Sequence, residues 1–362
     1  IKGAYVYPGQ MNSSAESDDY VNCWQFNTVR INHNDTQQGT VAVATDVKTC
    51  IDHMRFRNIV CFPRWGGDQY PPNETATAPA VPNNHTVFIA DIANTYKTDP
   101  GVWINIGNEP PGAPTFINDG TPPTWDQAAI NEWIQWCRDC IGVIRGTGNI
   151  NPIIVPTPVW SQDTLRNSNN SVSSAADALP FNERSAVGKY GSQVLSGFGI
   201  DSIASATVFN NQPNIIWDIH AYGQTWTFNG GTATTVGWSD RTAYVQQYIQ
   251  AAAAAGYNIV FGEYNYRVVN AGSQRNIWAA RNMALLKGTE HFGRVLWRWS
   301  NDASYNANVA LVATATSGTS GSGGEWINNC SNPTNLTDDS SGDLTNNMGD
   351  LVWDDNHSTA TA

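Results

Sequence analysis

Two glutamates stand where short apolar segments end, and side chains of this type and position can do chemistry. Alternating apolar residues run from Val102 to Ile106, and the segment then turns at Gly107 and ends in Asn108-Glu109-Pro110. Proline cannot continue strand hydrogen bonding, so a strand here delivers Glu109 to its own tip. The sequence Asn258-Ile-Val-Phe-Gly-Glu263-Tyr repeats this design. Two carboxylates facing each other across a cleft suit a retaining glycosidase, in which one is the nucleophile and the other the acid/base.

The elements around these glutamates alternate between strands and helices. Period-two and continuous apolar runs predict strands, and helical spacing of apolar residues predicts the helices between them. The predicted strands are 2–7, 26–31, 58–62, 102–106, 152–156, 215–222, 258–263 and 294–299. Predicted helices cover 45–54, 86–96, 124–146, 239–255 and 276–286, and the third of them starts in a capping box, Thr124-Trp-Asp-Gln127. The segment 161–213 is interpreted as a helix plus an irregular insertion.

Eight strands alternating with helices are typical of a parallel α/β fold, and closure into a single (β/α)8 barrel fits both the count and the length of 362 residues. All strand tips then lie on one face, where Glu109 and Glu263 would meet. The open doubly wound sheet is the alternative, but no glycine-rich phosphate loop follows a strand. We predict one catalytic domain over 1–362, with a C-terminal extension from about 310 that closes the barrel.

The composition of the chain limits the classes of partner that it can bind. The formal net charge of −12 argues against nucleic acid and anionic membranes, which would repel the chain, and favours a neutral substrate. No apolar run approaches the roughly 20 residues of a membrane span. The chain starts at Ile1 without a Met and enters a strand at once, as a processed secreted form would, and its six cysteines are compatible with disulfides. We therefore expect a secreted, extracellular protein that is a monomer.

Five motifs occur in the order of a known family. Ile-Gly-Asn108-Glu109-Pro110, Asp218-Ile-His220-Ala-Tyr222 and Phe-Gly-Glu263-Tyr resemble the fourth, sixth and seventh strand motifs of clan A glycoside hydrolases, most closely family 5. Val-Arg30-Ile resembles the second-strand arginine of that family, and Leu-Trp297-Arg-Trp299-Ser-Asn resembles its eighth-strand tryptophan. The resemblance covers most of residues 1–301.

The resemblance implies a role for each matched residue. Glu109 would be the acid/base and Glu263 the nucleophile, while Asn108 would hold the substrate 2-hydroxyl. Arg30 and Tyr222 would hydrogen-bond the nucleophile. Without the family, His220 is equally an ordinary hydrogen-bonded histidine at a strand end, and Arg30 a member of a buried ion pair.

His220 would line the cleft near the acid/base by the same resemblance. Family members usually carry a histidine at the tip of the third strand, where this chain has Arg64-Trp65. Either one of these two residues takes over a substrate contact or the chain belongs to an unusual subfamily. His33 is a further candidate for that place. Trp65, Trp297 and Trp299 are candidate stacking platforms for a sugar ring.

The sequence thus predicts a retaining endo-β-1,4-glycanase acting on plant-type polysaccharide, with β-mannan first and cellulose or mixed-linkage glucan second. No cofactor and no metal site is expected, since the Cys137-x-x-Cys140 pair lacks a second ligand pair. A non-catalytic carbohydrate-binding protein is a further alternative. A serine hydrolase is disfavoured because no Gly-x-Ser-x-Gly motif is present.

Overall fold

Eight parallel strands close into a barrel in the computed structural model of the chain. The strand order around the barrel is β1, β2, β3, β4, β7, β8, β11 and β12, with β12 pairing back to β1. The bounds of these strands are Lys2–Val6, Thr28–Asn32, Val60–Arg64, Ile104–Asn105, Ile153–Pro156, Ile215–Tyr222, Ile259–Asn265 and Phe292–Leu296. The predicted (β/α)8 barrel is confirmed.

The structure describes most of the barrel and part of its outer layer. It describes residues 1–11, 14–32, 41–65, 83–110, 114–115, 124–125, 127–161, 163, 180–196, 198, 214–222, 226–228, 231–233, 242–265 and 292–296. The predicted helix 276–286 and the C-terminal extension from about 310 lie outside these ranges.

Helices pack around the barrel between the strands. In the parts of the chain given above they are α1 (Ser14–Asp18), α2 (Val41–Arg55), α3 (Asn83–Thr95), α4 (Gln127–Gly146), α5 (Pro158–Ser161), α6 (Phe181–Arg184), α7 (Ala186–Leu195) and α8 (Thr242–Ala254). Short 3-10 and π helices cover Pro8–Met11 and Asp19–Cys23. None of these helices is long and apolar enough to cross a membrane.

The predicted start of the helix 124–146 is wrong. The sequence suggested a capping box at Thr124, but Thr124–Trp125 forms strand β6, which pairs antiparallel with β5 (Pro114–Thr115), and α4 begins at Gln127. A second antiparallel pair joins β9 (Trp226–Phe228) to β10 (Gly231–Ala233). Thr124 is therefore paired with Thr115 in a strand and does not belong to the helix.

The barrel interior has an apolar layer below a polar one. Phe62, Ile154, Val260 and Val295 come from four different strands and form a buried cluster of their own. Toward the carboxyl ends of the strands the buried side chains become charged or polar, and they are Arg30, Arg64, Asn105, Asp218, His220 and Glu263. The apolar layer holds the barrel together and leaves the strand tips available for a site.

Candidate active site

Glu109 and Glu263 meet at the carboxyl ends of the barrel strands. A carboxylate oxygen of each, together with a ring nitrogen of His220, form a group whose atoms all lie within 4.8 Å of one another. The Glu109 side chain is 24% exposed and the Glu263 side chain is 6% exposed. The two carboxylates therefore differ in environment, because one faces the solvent at the barrel mouth and the other is buried.

Glu263 reaches the interior because its strand is irregular. The alternation on β11 places Val260 in the interior cluster and Phe261 in the outer core, so Glu263 in regular register would share the outward side with Phe261. The pairing with β8 shifts between Phe261 and Glu263, and the shift turns Glu263 inward. Gly262 lies at this irregularity, where a Cβ atom would be only 1.9 Å from Oδ1 of Asp218.

Arg30 is the charged centre beneath Glu263. This fully buried side chain on β2 lies 3.3 Å from Glu263 Oε1 through Nη1 and 3.2 Å from Asp218 Oδ2 through Nη2. It also donates to the Gly262 carbonyl at 2.6 Å and to Asn108 Oδ1 at 3.3 Å. One rigid guanidinium thereby fixes side chains and backbone from three other parts of the barrel, and its charge favours the ionised carboxylate of Glu263.

His220 joins the two glutamates. Its Nδ1 donates to Glu109 Oε1 at 2.6 Å and lies 3.5 Å from Glu263 Oε2. Burial lowers the pKa of His220, but the negative charges of Glu263 and Asp218 and the hydrogen bonds to Asp218 and Glu109 outweigh burial and raise that pKa to about 9. A proton is therefore held in hydrogen-bonding contact with Glu109.

Asp218 completes the network, although sequence reasoning gave it no role beyond its place in a motif. It is fully buried, accepts a hydrogen bond from Asn105 Nδ2 at 3.0 Å and lies 3.5 Å from His220 Nε2. Burial raises its pKa, but the charges of Arg30 and His220 outweigh burial and lower the pKa to about 2. Asp218 and His220 are two residues apart on β8, a spacing that puts them on one face of the strand and was the available signal.

Asn108 lies beside these charges and is 7% exposed. Its side-chain oxygen accepts a hydrogen bond from the Arg30 guanidinium, and this bond fixes the orientation of the Asn108 amide group. Its backbone carbonyl accepts a hydrogen bond from Ser161 Oγ at 2.8 Å, a contact that sequence reasoning missed. Gly107, just before it, packs so closely that a Cβ atom would lie 2.7 Å from Trp136. The backbone after β4 is thus held by the hydrogen bond from Ser161 and by the close packing of Gly107 against Trp136.

Arg64 and Trp65 lie in different surroundings at the third-strand tip. Arg64 is 3% exposed, and its guanidinium donates from Nη2 to Tyr5 Oη at 2.8 Å while lying over the Tyr5 ring at 5.1 Å. Trp65 is partly buried and packs against His85 and Phe88, with ring centroids 5.6 and 5.5 Å apart. The Arg64 side chain is engaged inside the barrel, whereas Trp65 retains an exposed part at the strand exit.

The remaining predicted site residues are described in part or not at all. Tyr222 is the last residue of β8 and pairs in register with Asn265 of β11, but its side chain is outside the described part of the structure. Trp297, Trp299 and His33 also lie outside the described residues.

The three converging groups lie close enough together for a metal ion. Within the described ranges, Glu109, His220 and Glu263 are the group whose ligand atoms lie close enough together to hold an ion. However, His220 Nδ1 already bonds Glu109, and the Arg30 guanidinium lies 3.3 Å from Glu263. A second cation would compete with that positive charge, so the donor set fits hydrogen-bonded acid–base chemistry better than metal ligation.

A closed (β/α)8 barrel with two carboxylates at its strand tips has the architecture of a barrel glycoside hydrolase. Comparison with known families agrees with this class. The profile of the cellulase family, glycosyl hydrolase family 5, matches residues 5–303. The chain therefore belongs to glycosyl hydrolase family 5, as the sequence motifs predicted.

Individual relatives are distant. A mannan endo-1,4-beta-mannosidase from Streptomyces lividans is 22% identical over 308 residues, which are 83% of this chain and 61% of that protein. The catalytic domain of a mannanase from Streptomyces sp. SirexAA-E has a TM-score of 0.55 at 18% identity, with 86% of this chain and 79% of that chain covered. The catalytic domain of an endoglucanase from Thermobifida fusca has a TM-score of 0.55 at 17% identity, with 99% and 92% covered. These structural likenesses support the fold.

Proposed function

We propose that this chain is a retaining endo-β-1,4-glycanase whose preferred substrate is β-mannan. The observation that carries the proposal is the convergence of Glu109, Glu263 and His220 within 4.8 Å, above a buried arginine. Retaining enzymes hold their carboxyl groups about 5 to 5.5 Å apart, whereas inverting enzymes need about 6.5 to 9.5 Å to admit a water molecule. One oxygen of each carboxylate lies within 4.8 Å of the other, and this close approach of the two oxygens supports the retaining mechanism.

The environments of the two glutamates support their division of roles. Glu263 is buried beside the Arg30 guanidinium, which favours a charged nucleophile. Glu109 is the more exposed of the two and is hydrogen-bonded to His220, which suits proton exchange with substrate and water.

In the first step, a Glu263 oxygen forms a bond to the anomeric carbon while the bond from that carbon to the glycosidic oxygen breaks. The proton of the Glu109 carboxyl group passes to the departing oxygen. In the second step Glu109 takes a proton from water, the water oxygen bonds to the anomeric carbon, and Glu263 leaves. Asn108 would hold the 2-hydroxyl group of the substrate, and Tyr222 would donate a hydrogen bond to Glu263. Trp65, Trp297 and Trp299 would stack on sugar rings.

The choice of mannan rests on the relatives. The relative from S. lividans carries the name of a mannan endo-1,4-beta-mannosidase, and this chain spans 61% of its length. The second candidate, an endo-β-1,4-glucanase or mixed-linkage glucanase, is favoured by the cellulase description of the matching family. The substrates of these two candidate enzymes differ at the 2-position of the sugar.

Reducing-sugar release from glucomannan, galactomannan, carboxymethylcellulose, barley glucan and xylan separates these substrates. Preference for the two mannans supports the proposal, and preference for carboxymethylcellulose or barley glucan transfers it to the second candidate. Activity on none of the five would favour a carbohydrate-binding protein instead.

The nucleophile assignment is tested with Glu263→Gln, which keeps the side-chain shape but removes the attacking charge. Turnover should fall by several orders of magnitude with folding intact, whereas Glu183→Gln on exposed α6 should leave turnover unchanged. Near-normal turnover by Glu263→Gln would refute the assignment. NMR of the first product anomer tests the mechanism, since an inverted anomer excludes retention.

We further propose that the protein is a secreted monomer of one domain, with the segment from about 310 closing the barrel. Cys23 is disulfide-bonded, which suits an oxidising compartment, while Cys50, Cys61, Cys137 and Cys140 are free buried thiols. Peptide mapping without reduction should find Cys23 in a disulfide-linked peptide, and a free thiol at Cys23 would contradict the expectation of an oxidising compartment.

A further inference from the structure

Ser161 lies directly behind the exit of β4. It is the last residue of α5, which follows β7, and it is fully buried. Its hydroxyl donates to the backbone carbonyl of Asn108 at 2.8 Å. Its backbone has a φ of 57°, in the left-handed region that residues other than glycine rarely adopt. Strained residues of this kind collect at functional sites, where the surrounding structure enforces them.

The hydrogen bond acts on the peptide unit that leads to Glu109. The carbonyl of Asn108 and the amide of Glu109 belong to one planar group, so a bond to that carbonyl restricts the orientation of the Glu109 Cα atom. Glu109 is otherwise tied through its carboxylate to His220. Ser161 therefore fixes the base of the side chain, while His220 fixes its end.

The Ser161 segment is itself anchored to the outer helices through Asp163. The fully buried carboxylate of Asp163 accepts hydrogen bonds from Ser185 Oγ at 2.5 Å, from the Val187 amide at 2.9 Å and from Tyr248 Oη. Asp163 also has a left-handed backbone, with a φ of 57°. These bonds come from the start of α7 and from α8, so the two helices hold the loop that holds Asn108.

We propose that Ser161 is a positioning residue for the acid/base Glu109, anchored through Asp163. This inference rests on the proposed function, because it assigns Ser161 to the proton transfer that Glu109 performs. Ser161 acts through the Asn108–Glu109 peptide and does not touch the reacting atoms. Its loss should weaken protonation of the leaving group and should spare the attack by Glu263.

The test compares two substrates that differ in their need for a proton. Mannohexaose releases a sugar alkoxide that must be protonated, whereas a dinitrophenyl β-mannobioside releases a stable phenolate that does not. We expect Ser161→Ala to lower kcat/KM by about 10-fold to 100-fold on mannohexaose and by less than about 3-fold on the dinitrophenyl glycoside. Glu109→Gln should show the same selectivity with a larger loss on mannohexaose.

Two further variants separate positioning from folding. Ser161→Gly removes the hydroxyl but relieves the left-handed backbone, so it should be more stable than Ser161→Ala and show the same substrate selectivity. Ser17→Ala is the matched control, because Ser17 is also fully buried and its hydroxyl donates to the Met11 carbonyl at 3.1 Å. It should leave the ratio of the two kcat/KM values unchanged.

Equal losses on both substrates, or no loss on either, would overturn the role of Ser161 while leaving the proposed function in place. A wild-type protein that cleaves neither these substrates nor their β-glucan counterparts would overturn the proposed function and this inference with it. If the substrate panel favours glucans, cellohexaose and the dinitrophenyl β-cellobioside replace the mannosides.

Discussion

Replacement of Arg30 by methionine tests the electrostatic core of the site. Methionine occupies a similar length but carries no charge. The change leaves the fully buried Asp218 and the nearly buried Glu263 without the guanidinium that lies 3.2 and 3.3 Å from them. Removal of one partner from a buried ion pair typically costs about 3 to 5 kcal/mol, because the remaining charge stays desolvated.

The pKa of Asp218 gives an independent measure. Burial raises it, but Arg30 and His220 together lower it from 3.8 to about 2. That shift corresponds to a stabilisation on the order of 2 kcal/mol. Since the folded pKa is depressed, this stability is present above the unfolded value of 3.8 and is lost as the pH falls through about 2. The deficit of Arg30→Met should therefore be largest at neutral pH and should shrink below pH 4.

The assay is urea unfolding at pH 7, 5, 4 and 3 for the wild type, Arg30→Met and Arg30→Lys. Lysine keeps the charge but cannot bridge both carboxylates with one planar group, so its deficit should be intermediate. Arg57→Met is the control, because the ion pair of Arg57 with Asp18 at 2.8 Å is partly exposed and should contribute at most about 1 kcal/mol. A deficit for Arg30→Met no larger than that of Arg57→Met, or one independent of pH, would refute the reasoning.

Two further predictions concern the same network. Although burial opposes it, the surrounding carboxylates raise the pKa of His220 to about 9, so its contribution to stability is fully present below 6.5 and is lost as the pH rises through about 9. Urea midpoints of His220→Gln should therefore fall less than those of the wild type between pH 6.5 and 9.5, and parallel curves would contradict this. Gly262→Ala would put a Cβ atom 1.9 Å from Asp218 Oδ1 and should cost about 1 to 3 kcal/mol or more in thermal unfolding. Gly142→Ala on α4 is its control, because a Cβ atom there would meet no atom within 4 Å apart from its chain neighbours and the backbone of its own helix, and it should not lower the melting temperature.

Local patterns in the sequence were sufficient to predict the barrel. The strand 215–222 was predicted with the bounds that the structure has, because it starts with the apolar run Ile-Ile-Trp and its polar residues, Asp218 and His220, follow at alternate positions toward its end. The predicted strand 102–106 proved shorter, with Ile104–Asn105 in the ladder and Val102 in an isolated bridge to Cys61. Thr124 was misassigned because a capping pattern does not reveal a competing strand partner.

Arg64 shows a second limit of sequence reasoning. Its place at the strand tip suggested a substrate contact, but the interior of the barrel offers Tyr5 as a hydrogen-bond partner for it. A strand position specifies which residues come near the mouth. It does not specify whether a long side chain turns inward or outward, because that choice depends on partners from other strands.

The sequence by itself determined the class of fold, the family and the two glutamates as candidates, since each is encoded in short contiguous motifs. The tertiary structure alone decided where the two carboxylates lie relative to the charges around them. Regular alternation on β11 would turn Glu263 outward with Phe261, and the irregularity at Gly262 turns it toward Arg30. The contacts of Arg30 with Asp218 and with His220 join residues 188 and 190 positions apart in the chain, and Ser161 meets Asn108 across 53 positions. Such contacts arise from barrel closure, which brings all strand tips to one face, and no local pattern encodes them.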